Sequence, residues 1–244
     1  MPNAINYQRE LDKMIEQNLA EGVRPRLLIH SCCAPCSSYV MEYLSRYFDL
    51  TMYFYNPNMN SREEYDKRAM ELKRLIGELN RKAEEQRSGG TAEDGAPLPT
   101  AIGLIIEDYD PESFEKIASG HESDPERGPR CRLCYELRLR KTAEFMHACN
   151  QKASLDASGS SRPFDYFATT LTLSPLKDTE ELNEIASQLA VQYQVRALLT
   201  DFKKKNGYKR SIELSREYGL YRQDYCGCRF SKQARKAASR AGSE

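Results

Sequence analysis

The stretch Arg26-Leu27-Leu28-Ile29-His30-Ser31-Cys32-Cys33-Ala34-Pro35-Cys36 begins as a short apolar run and ends in three cysteines. The apolar part is typical of a strand. Pro35 suits the first turn of a helix, where its missing N–H removes no hydrogen bond. Tyr39, Tyr43 and Tyr47 follow at four-residue spacing, which predicts that this helix continues. Strand, cysteine loop and helix therefore form one unit, with the thiols at the carboxyl end of the strand.

Further strands and helices alternate along the chain. Runs of apolar and aromatic residues predict strands at 50–55, 102–106, 164–168 and 195–199. Ser61 with Glu64 resembles a capping box before a long helix, and other helices are predicted from about Pro111 and from Asp178. This alternation indicates an α/β fold with a mostly parallel, Rossmann-like sheet flanked by helices. Ligands bind outside the carboxyl ends of such strands, so the segments 31–36 and 168–174 are expected at the site.

The bulk composition predicts a globular chain of 244 residues, with 40% hydrophobic and 30% charged residues. We expect a single α/β catalytic domain over 1–244, with flexible insertions at about 88–100 and 152–163 and a basic tail at about 232–244. No apolar run is long enough to span a membrane, and residues 1–26 lack the apolar stretch of a signal peptide. The expected location is therefore cytoplasmic.

A local basic patch is the candidate for nucleic-acid binding, because the formal net charge is +0 and the whole surface is not basic. The candidate residues for substrate or tRNA contact are Lys203, Lys204, Lys205, Lys209 and Arg210. Taken alone, such a patch is explained equally well as a solvated surface.

The most unusual feature is the distribution of the eight cysteines. Seven of them fall into three clusters, Cys32/Cys33/Cys36, Cys131/Cys134 and Cys226/Cys228. Cys149 stands apart and is interpreted as a small buried hydrophobic residue. In a reducing compartment, clustered cysteines favour metal or redox chemistry over structural disulfides. Seven thiols exceed the four that one zinc ion or one iron–sulfur cluster takes, so two neighbouring centres are expected.

Three interpretations of these thiols remain open from the residues alone. A structural zinc site in a nucleic-acid-binding protein would use four thiols in closed geometry. A thiol–disulfide oxidoreductase would use Cys131 and Cys134. A cubane cluster with a second ion fits the number of thiols better than either. The chain contains neither a GxxxxGK[ST] phosphate loop nor a GxGxxG loop after a strand.

The combined motifs resemble a known family, the cobalamin-independent epoxyqueuosine reductases of the QueH type. The resemblance extends from about Arg26 to Ser231. It rests jointly on the segments 28–36, 55–58, 130–135, 169–175, 207–211 and 221–228.

This resemblance implies an activity, its cofactors and its partners. The implied reaction is the two-electron removal of the epoxide oxygen of epoxyqueuosine in tRNA, the last step of queuosine formation. The implied cofactors are a [4Fe–4S] cluster and a separately bound, adjacent iron. The implied partners are tRNA carrying epoxyqueuosine and an electron donor that the sequence does not identify. The implied fold is a Rossmann-like sheet of the adenine-nucleotide-hydrolase type, with the cysteine-ligated metals at the carboxyl ends of its strands.

The resemblance also assigns roles to individual residues. The cluster ligands it implies are Cys33, Cys131, Cys134 and Cys226, and the ligands of the adjacent iron are Cys32, Cys36 and Cys228. Which member of each neighbouring pair serves which metal is left open. On position alone, the candidates for the proton donor are Tyr135, Asp224 and Tyr225.

Overall fold

The computed structural model describes residues 5–89, 96–156, 158 and 160–241. Its centre is a parallel sheet of four strands in the order β3-β2-β1-β4. The strands are β1 (Arg26–His30), β2 (Asp49–Phe54), β3 (Gly103–Ile106) and β4 (Tyr166–Thr169). The α/β fold with a parallel sheet is therefore confirmed.

Helices connect the strands and cover both faces of the sheet. Those described are α1 (Tyr7–Ala20), α2 (Ala34–Leu44), α3 (Arg62–Gly89), α4 (Pro111–Ala118), α5 (Pro129–Leu155), α6 (Thr179–Gln192), α7 (Gly207–Glu217) and α8 (Arg229–Ala241). A short 3-10 helix, Thr170–Leu173, follows β4 directly. Among the described residues, no helix is long and apolar enough to cross a membrane.

The alternation of side chains along β1 divides the core into two layers. Leu27 and Ile29 pack in the layer that contains α2 and α3, whereas Leu28 packs in the layer of α5 and α6. Successive strand residues point to opposite faces, so a strand that is apolar on both faces must be covered on both. The central position of β1 fixes its carboxyl end, and the cysteine loop that follows, above the middle of the sheet.

The predicted fifth strand at 195–199 is wrong as a strand. Among the residues that the structure describes, this segment pairs with the sheet through a single parallel bridge, between Phe167 and Ala197. Phe167 N donates to Arg196 O at 2.9 Å, and Leu198 N donates to Phe167 O at 2.8 Å. The segment therefore lies along β4 for one residue pair and then leaves the sheet.

Two of the expected loose segments are partly helical. Residues 88–89 belong to α3, and residues 152–155 belong to α5. The remainder of the first segment includes residues 90–95, which lie outside the described residues. The expected basic tail forms most of α8 and is therefore helical as far as Ala241. These helix bounds do not test whether the chain is a single domain, so that expectation stays a prediction.

Candidate metal centre

The first group of thiols lies in the loop between β1 and the start of α2. The Sγ atoms of Cys32, Cys33 and Cys36 all lie within 4.8 Å of one another. Cys33 is the N-cap of α2 in an extended conformation, and Pro35 occupies the first turn of the helix. The Sγ atoms of Cys32 and Cys33 lie 3.8 Å apart. The thiols are thus placed at the carboxyl end of β1, as the sequence predicts.

Hydrogen bonds from neighbouring strands fix this loop. Asn56 Nδ2 donates to Ser31 O at 2.9 Å, and Cys32 N donates to Thr170 Oγ1 at 3.3 Å. Thr170 Oγ1 also lies 3.5 Å from Cys32 Sγ. The segment after β4 therefore contacts the cysteine loop, which confirms that the ends of two strands meet at the site. Within the group, hydrogen bonding from Cys32 and from Cys36 lowers the pKa of the Cys33 thiol.

His30, at the end of β1, is a structural residue. It is fully buried between Thr169 Oγ1 at 2.9 Å and Tyr55 O at 3.3 Å. Burial lowers the pKa of His30 to about 3, so its ring is neutral at physiological pH. Both ring nitrogens have hydrogen-bond partners, and His30 positions the two strand ends.

The second group of thiols is formed by the start of α5 and the loop before α8. Its members line a cavity of about 370 Å³: Cys131, Cys134, Cys226 and Cys228. Pro129 and Gly128 begin α5, so Cys131 and Cys134 occupy its first two turns. Helical spacing places residues three apart on one face, which explains why both thiols reach the cavity.

A second cavity of about 150 Å³ lies beside the first. Its lining includes the first group, Cys32, Cys33 and Cys36, together with Cys226. Cys226 therefore lines both cavities, and the seven clustered cysteines surround two adjoining spaces. Cys149 lies elsewhere, half-buried against the core layer of α5 and α6.

Gly227 allows Cys226 and Cys228 to flank one sharp turn. Its φ of +123° is a conformation that residues with a side chain rarely adopt. A Cβ atom there would lie 2.7 Å from Met59 Sδ. Asn60 N donates to Gly227 O at 2.9 Å, and Arg68 Nη1 donates to Cys226 O at 3.3 Å. The turn is held against the loop after β2, which brings the C-terminal thiols to the sheet.

The cations that line the second cavity include Arg68, Arg138 and Lys177. Arg68 and Arg138 are 2% and 1% exposed. Lys177 Nζ lies 3.4 Å from Cys226 Sγ. Burial raises the pKa of Cys226, but the charges of Lys177 and Arg138 outweigh burial and lower it. Burial raises the pKa of Cys134 to about 12. Cys226 is thus easier to ionise than Cys134 in this environment.

None of these three cations was identified as a site residue from the sequence. Arg138 follows Cys134 by four residues on α5 and so shares its helical face, which is the one sequence signal available. Arg68 and Lys177 are brought to the site by tertiary packing, and local patterns around them resemble those of solvated surfaces.

The predicted proton donors lie around the two cavities. Tyr135 lines the first cavity, and Asp224 and Tyr225 line the second. Burial raises the pKa of Tyr135 and of Tyr225 to about 12. Both phenols therefore keep their protons at neutral pH. The Tyr225 Oη atom lies 2.7 Å from the Asn60 amide group.

The predicted tRNA-contacting residues lie outside the two thiol-lined cavities, on the loop before α7 and on α7 itself. Three of the five already have protein partners. Lys205 pairs with Asp12 at 2.7 Å, Arg210 pairs with Glu42 at 2.6 Å, and Lys203 donates to Thr179 Oγ1. Lys204 and Lys209 form no ion pair with the described residues and are exposed. The patch is thus less basic than its sequence suggests.

The donor set fits a soft metal or an iron–sulfur cluster. Every clustered ligand atom is a thiol sulfur, and thiolates select zinc, copper(I) and iron–sulfur clusters. Against the effect of burial, the charges of Lys177 and Arg138 lower the pKa of Cys226, whereas burial raises the pKa of Cys134. A closed site for one ion would leave three of the seven thiols unused, so two adjoining centres fit the arrangement.

Comparison with known proteins gives a consistent result. The family model described as epoxyqueuosine reductase QueH matches residues 27–234. An epoxyqueuosine reductase QueH of Streptococcus pyogenes serotype M1 is 39% identical over 224 residues, covering 92% of this chain and 77% of the relative. QueH proteins of Staphylococcus epidermidis and Staphylococcus aureus are 38% and 37% identical over 229 residues, each covering 93% of this chain and 84% of the relative. The chain belongs to the epoxyqueuosine reductase QueH family.

Proposed function

We propose that this protein is an oxidoreductase that reduces epoxyqueuosine to queuosine in tRNA. The observation that carries the proposal is the convergence of seven thiols on two adjoining cavities that share Cys226. The first cavity, with Cys131, Cys134, Cys226 and Cys228, suits a centre that transfers electrons. The second cavity, with Cys32, Cys33 and Cys36, suits an ion beside which a substrate atom is held. The family membership of the chain supports the same reaction.

The reaction balances with two electrons and two protons. The epoxide oxygen leaves both of its carbon atoms, a C=C bond forms between them, and the oxygen departs as water. The protein must therefore accept electrons from a donor, hold the base with its epoxide at the site, and supply protons. The structure offers separate groups for holding the base and for supplying protons.

The residues proposed to hold the metals follow from the two cavities. Cys131, Cys134, Cys226 and Cys228 would hold a [4Fe–4S] cluster, and Cys32, Cys33 and Cys36 an adjacent iron. This differs from the sequence-based division by exchanging Cys33 and Cys228, which lie in opposite groups. When bound, these groups supply single electrons and a Lewis acid for the epoxide oxygen.

The side chains of the protein itself supply charge and protons. Lys177 and Arg138 present positive charge beside the shared thiol, where it favours negative charge developing on an oxygen. Tyr135 is our preferred proton donor, because its phenol is buried beside the thiols and keeps its proton at Oη at neutral pH. Tyr225 and Asp224 are the alternatives on the wall of the second cavity.

The tRNA substrate requires a surface outside the cavities. The α8 helix borders both of them, since Ala234 lines the first and Arg235 lines the second. Arg235 and the exposed Lys204 and Lys209 are proposed phosphate contacts. Lys203, Lys205 and Arg210 stay candidates of the original patch, although their charges are engaged by protein groups.

Nucleoside analysis of tRNA tests the activity. Cells that lack this protein and have no other reductase of this kind should accumulate epoxyqueuosine and regain queuosine when the gene is restored. Normal queuosine in such cells would overturn the proposal. A tRNA substrate incubated with the purified protein and a chemical reductant gives the same test in vitro.

Anaerobic purification tests the cofactors. We expect a brown protein with about five iron atoms and about four acid-labile sulfides per chain. A colourless protein with stoichiometric zinc would favour the structural zinc interpretation. Activity in metal-free protein, lost in Cys134→Ser, would favour the thiol–disulfide interpretation.

A further inference from the structure

Asn58, in the loop after β2, has a buried side-chain amide at the wall of the first cavity. The residue is 1% exposed, and it lines this cavity together with the four thiols of the second group. Neither its Nδ2 nor its Oδ1 atom has a hydrogen-bond partner among the described residues. Burial of an unpaired amide costs free energy, so its position at a cavity indicates that a bound molecule supplies the partners.

The residues on either side of Asn58 hold it in this position. Asn56 Nδ2 donates to Ser31 O at 2.9 Å, and Asn60 N donates to Gly227 O at 2.9 Å. Asn58 Nδ2 lies 3.2 Å from the position that a Cβ atom on Gly227 would take, beside the turn that carries the two C-terminal thiols. The loop is thus attached to the site on both sides of the unpaired amide.

Other buried asparagines have the partners that a purely structural role requires. Asn183 Nδ2 donates to Thr200 O at 3.0 Å, and Asn183 Oδ1 accepts from Thr200 N at 3.2 Å. Asn56 also has protein partners on both of its amide atoms. Asn58 differs from both, because its donor and its acceptor are unused by the described protein.

The chemistry of an amide limits which molecule satisfies it. Nδ2 needs an acceptor and Oδ1 needs a donor, and the two atoms lie side by side. Metal-bound sulfur accepts hydrogen bonds but donates none, so a metal centre satisfies only one half of the amide. A nucleobase edge with both a donor and an acceptor satisfies both halves, as in bidentate binding of bases by asparagine. Guanine-type bases have such an edge, a ring N–H group next to a ring C=O group.

The other side chains of the cavity suit a flat base. Phe114, Tyr135 and Phe230 line it, and the ring centroids of the two phenylalanines lie 6.4 Å apart. Enzymes that act on a base outside the stack read its edge by hydrogen bonds and hold its faces between aromatic or apolar side chains. The volume of about 370 Å³ is within the range of small-molecule sites.

The carboxylates on the same wall are placed differently from Asn58. Glu122 and Glu126 are exposed, and Asp124 Oδ2 already accepts from Arg130 N at 2.9 Å. Among the described residues of this wall, Asn58 has the buried side-chain nitrogen and oxygen that lack protein partners.

We propose that Asn58 binds the base of the substrate, through two hydrogen bonds to an N–H group and a neighbouring C=O group on the edge of a guanine-type base. This inference rests on the proposed function, since the base belongs to the tRNA substrate. Asn58 holds the base in the cavity that contains Tyr135, our preferred proton donor, and next to the thiol of Cys226 that both cavities share. A base that lacks the N–H group leaves Oδ1 buried and unpaired, so it binds less tightly.

Nucleoside binding tests the two hydrogen bonds without reference to activity. The probes are guanosine, which has the ring N–H group, and 1-methylguanosine, in which a methyl group replaces that hydrogen. The metal-loaded protein is melted with increasing amounts of each, because a ligand of the folded state raises the melting temperature. The dissociation constant from these shifts should be about tenfold higher for 1-methylguanosine. Equal shifts with the two probes, including no shift with either, would overturn the proposal.

Asn58→Leu removes both hydrogen-bonding atoms and keeps a side chain of similar size. This variant should bind the two nucleosides equally, and guanosine about tenfold more weakly than native protein does. Asn58→Ala, which cannot overfill the site, should give the same result. Asn183→Leu is the matched control, because Asn183 is a buried asparagine that lines neither cavity, and it should keep the preference for guanosine. A preference for guanosine that persists in both Asn58 variants would contradict the assignment.

The melting temperature without a nucleoside tests whether the amide serves only the fold. Asn58→Leu should melt no lower than native protein, because it loses no hydrogen bond within the described protein. Asn183→Leu should melt several degrees lower, because it loses both hydrogen bonds to Thr200. An equal fall in the two variants would show a structural role for Asn58 and overturn the inference.

Metal release distinguishes a base from a metal centre as the partner of the amide. If Asn58 donated to a sulfur of a bound centre instead, Asn58→Leu would lose metal to a chelator faster than native protein and would keep the native preference for guanosine. That result would overturn the inference. A protein that prefers guanosine but leaves epoxyqueuosine in tRNA unchanged would keep the base site and refute only the proposed reduction.

Discussion

Cys226 lines both cavities, and in the proposed arrangement it is a cluster ligand that lies next to the adjacent iron. Cys226→Ser should therefore lower the iron content of both centres, to well below half of the native value. Iron and sulfide analysis with electron paramagnetic resonance measures this loss. Cys149→Ser is the control, since Cys149 lies outside both cavities and its substitution should leave the metal content unchanged. Full retention of metal in Cys226→Ser would contradict the assignment of Cys226 as a ligand.

Substitution of Gly227 tests the turn between Cys226 and Cys228 rather than the thiol ligands themselves. Gly227→Ala must accept a φ of +123° and a contact of 2.7 Å with Met59 Sδ. Strain of this kind costs about 1–3 kcal/mol. Chemical denaturation should show that loss, together with weaker metal retention. Gly77→Ala is the control, because no atom lies within 4 Å of the added Cβ on α3 and alanine there stabilises a helix by about 1 kcal/mol.

The thiols were predictable residue by residue, whereas their electrostatic environment was not. The clusters around Cys32, Cys131 and Cys226 stand out because their spacing is local in the sequence. Arg138 and Lys177 come from a helix interior and from the turn before α6. Their place beside the second cavity depends on how distant elements pack together, which is a property of the tertiary structure.

The first turn of α5 depends on one carboxylate. Asp124 Oδ2 accepts from Arg130 N and from His121 Nδ1, both at 2.9 Å. Burial alone would raise the pKa of Asp124, but these two hydrogen bonds lower it overall. Its contribution to stability is therefore present above the unfolded pKa of about 3.9 and is lost as the pH falls through the lower folded pKa.

Asp124→Ala should lower the melting temperature at neutral pH and loosen the turn that carries Cys131. The difference from native protein should shrink as the pH falls below about 3.9. Calorimetry across the pH range measures this difference. Glu122→Ala is the control in the same loop, since the carboxylate of Glu122 accepts from Gly120 N at 3.2 Å and does not cap α5. A difference that grows towards acid pH would contradict the assigned role.

The helices and strands were predictable where a short stretch of sequence carries the pattern that marks them. The unit of β1, the cysteine loop and α2 follows from an apolar run and Pro35. The helices α3 and α5 extend further than expected because Gly, Ser and Lys in their last turns are tolerated in a helix that is anchored elsewhere. The segment 195–199 has the apolar pattern of a strand, but its pairing with β4 stops after one bridge. The local pattern of apolar residues does not show where such pairing stops.

Binding of tRNA should depend on the lysine and arginine charges that no described protein group compensates. Lys209→Ala should weaken binding and reduce its dependence on salt concentration, because a phosphate contact is lost. Lys205→Ala removes a lysine already paired with Asp12 and should change tRNA affinity less. Fluorescence anisotropy at several salt concentrations distinguishes the two. A larger effect of Lys205→Ala would instead support the patch as the sequence predicts it.

Removal of the metal should destabilise the whole molecule, because the clustered thiols come from three distant parts of the chain. Metal bound by these thiols would link the loop after β1, the start of α5 and the turn before α8. A ligand that binds only the folded state stabilises it by mass action. Chelation should lower the melting temperature and increase amide exchange first in α8. An unchanged melting temperature after complete metal removal would contradict this prediction.

The single bridge between Phe167 and Ala197 also covers part of β4, an outer strand of the sheet. An outer strand of a sheet exposes N–H and C=O groups that can pair with another chain and begin aggregation. Both main-chain groups of Phe167 are already taken, by Arg196 O and by Leu198 N. The segment covers the middle of this outer strand. It does not extend the sheet, so it does not create a new, longer edge strand. We therefore expect this segment to hinder pairing of β4 with another chain.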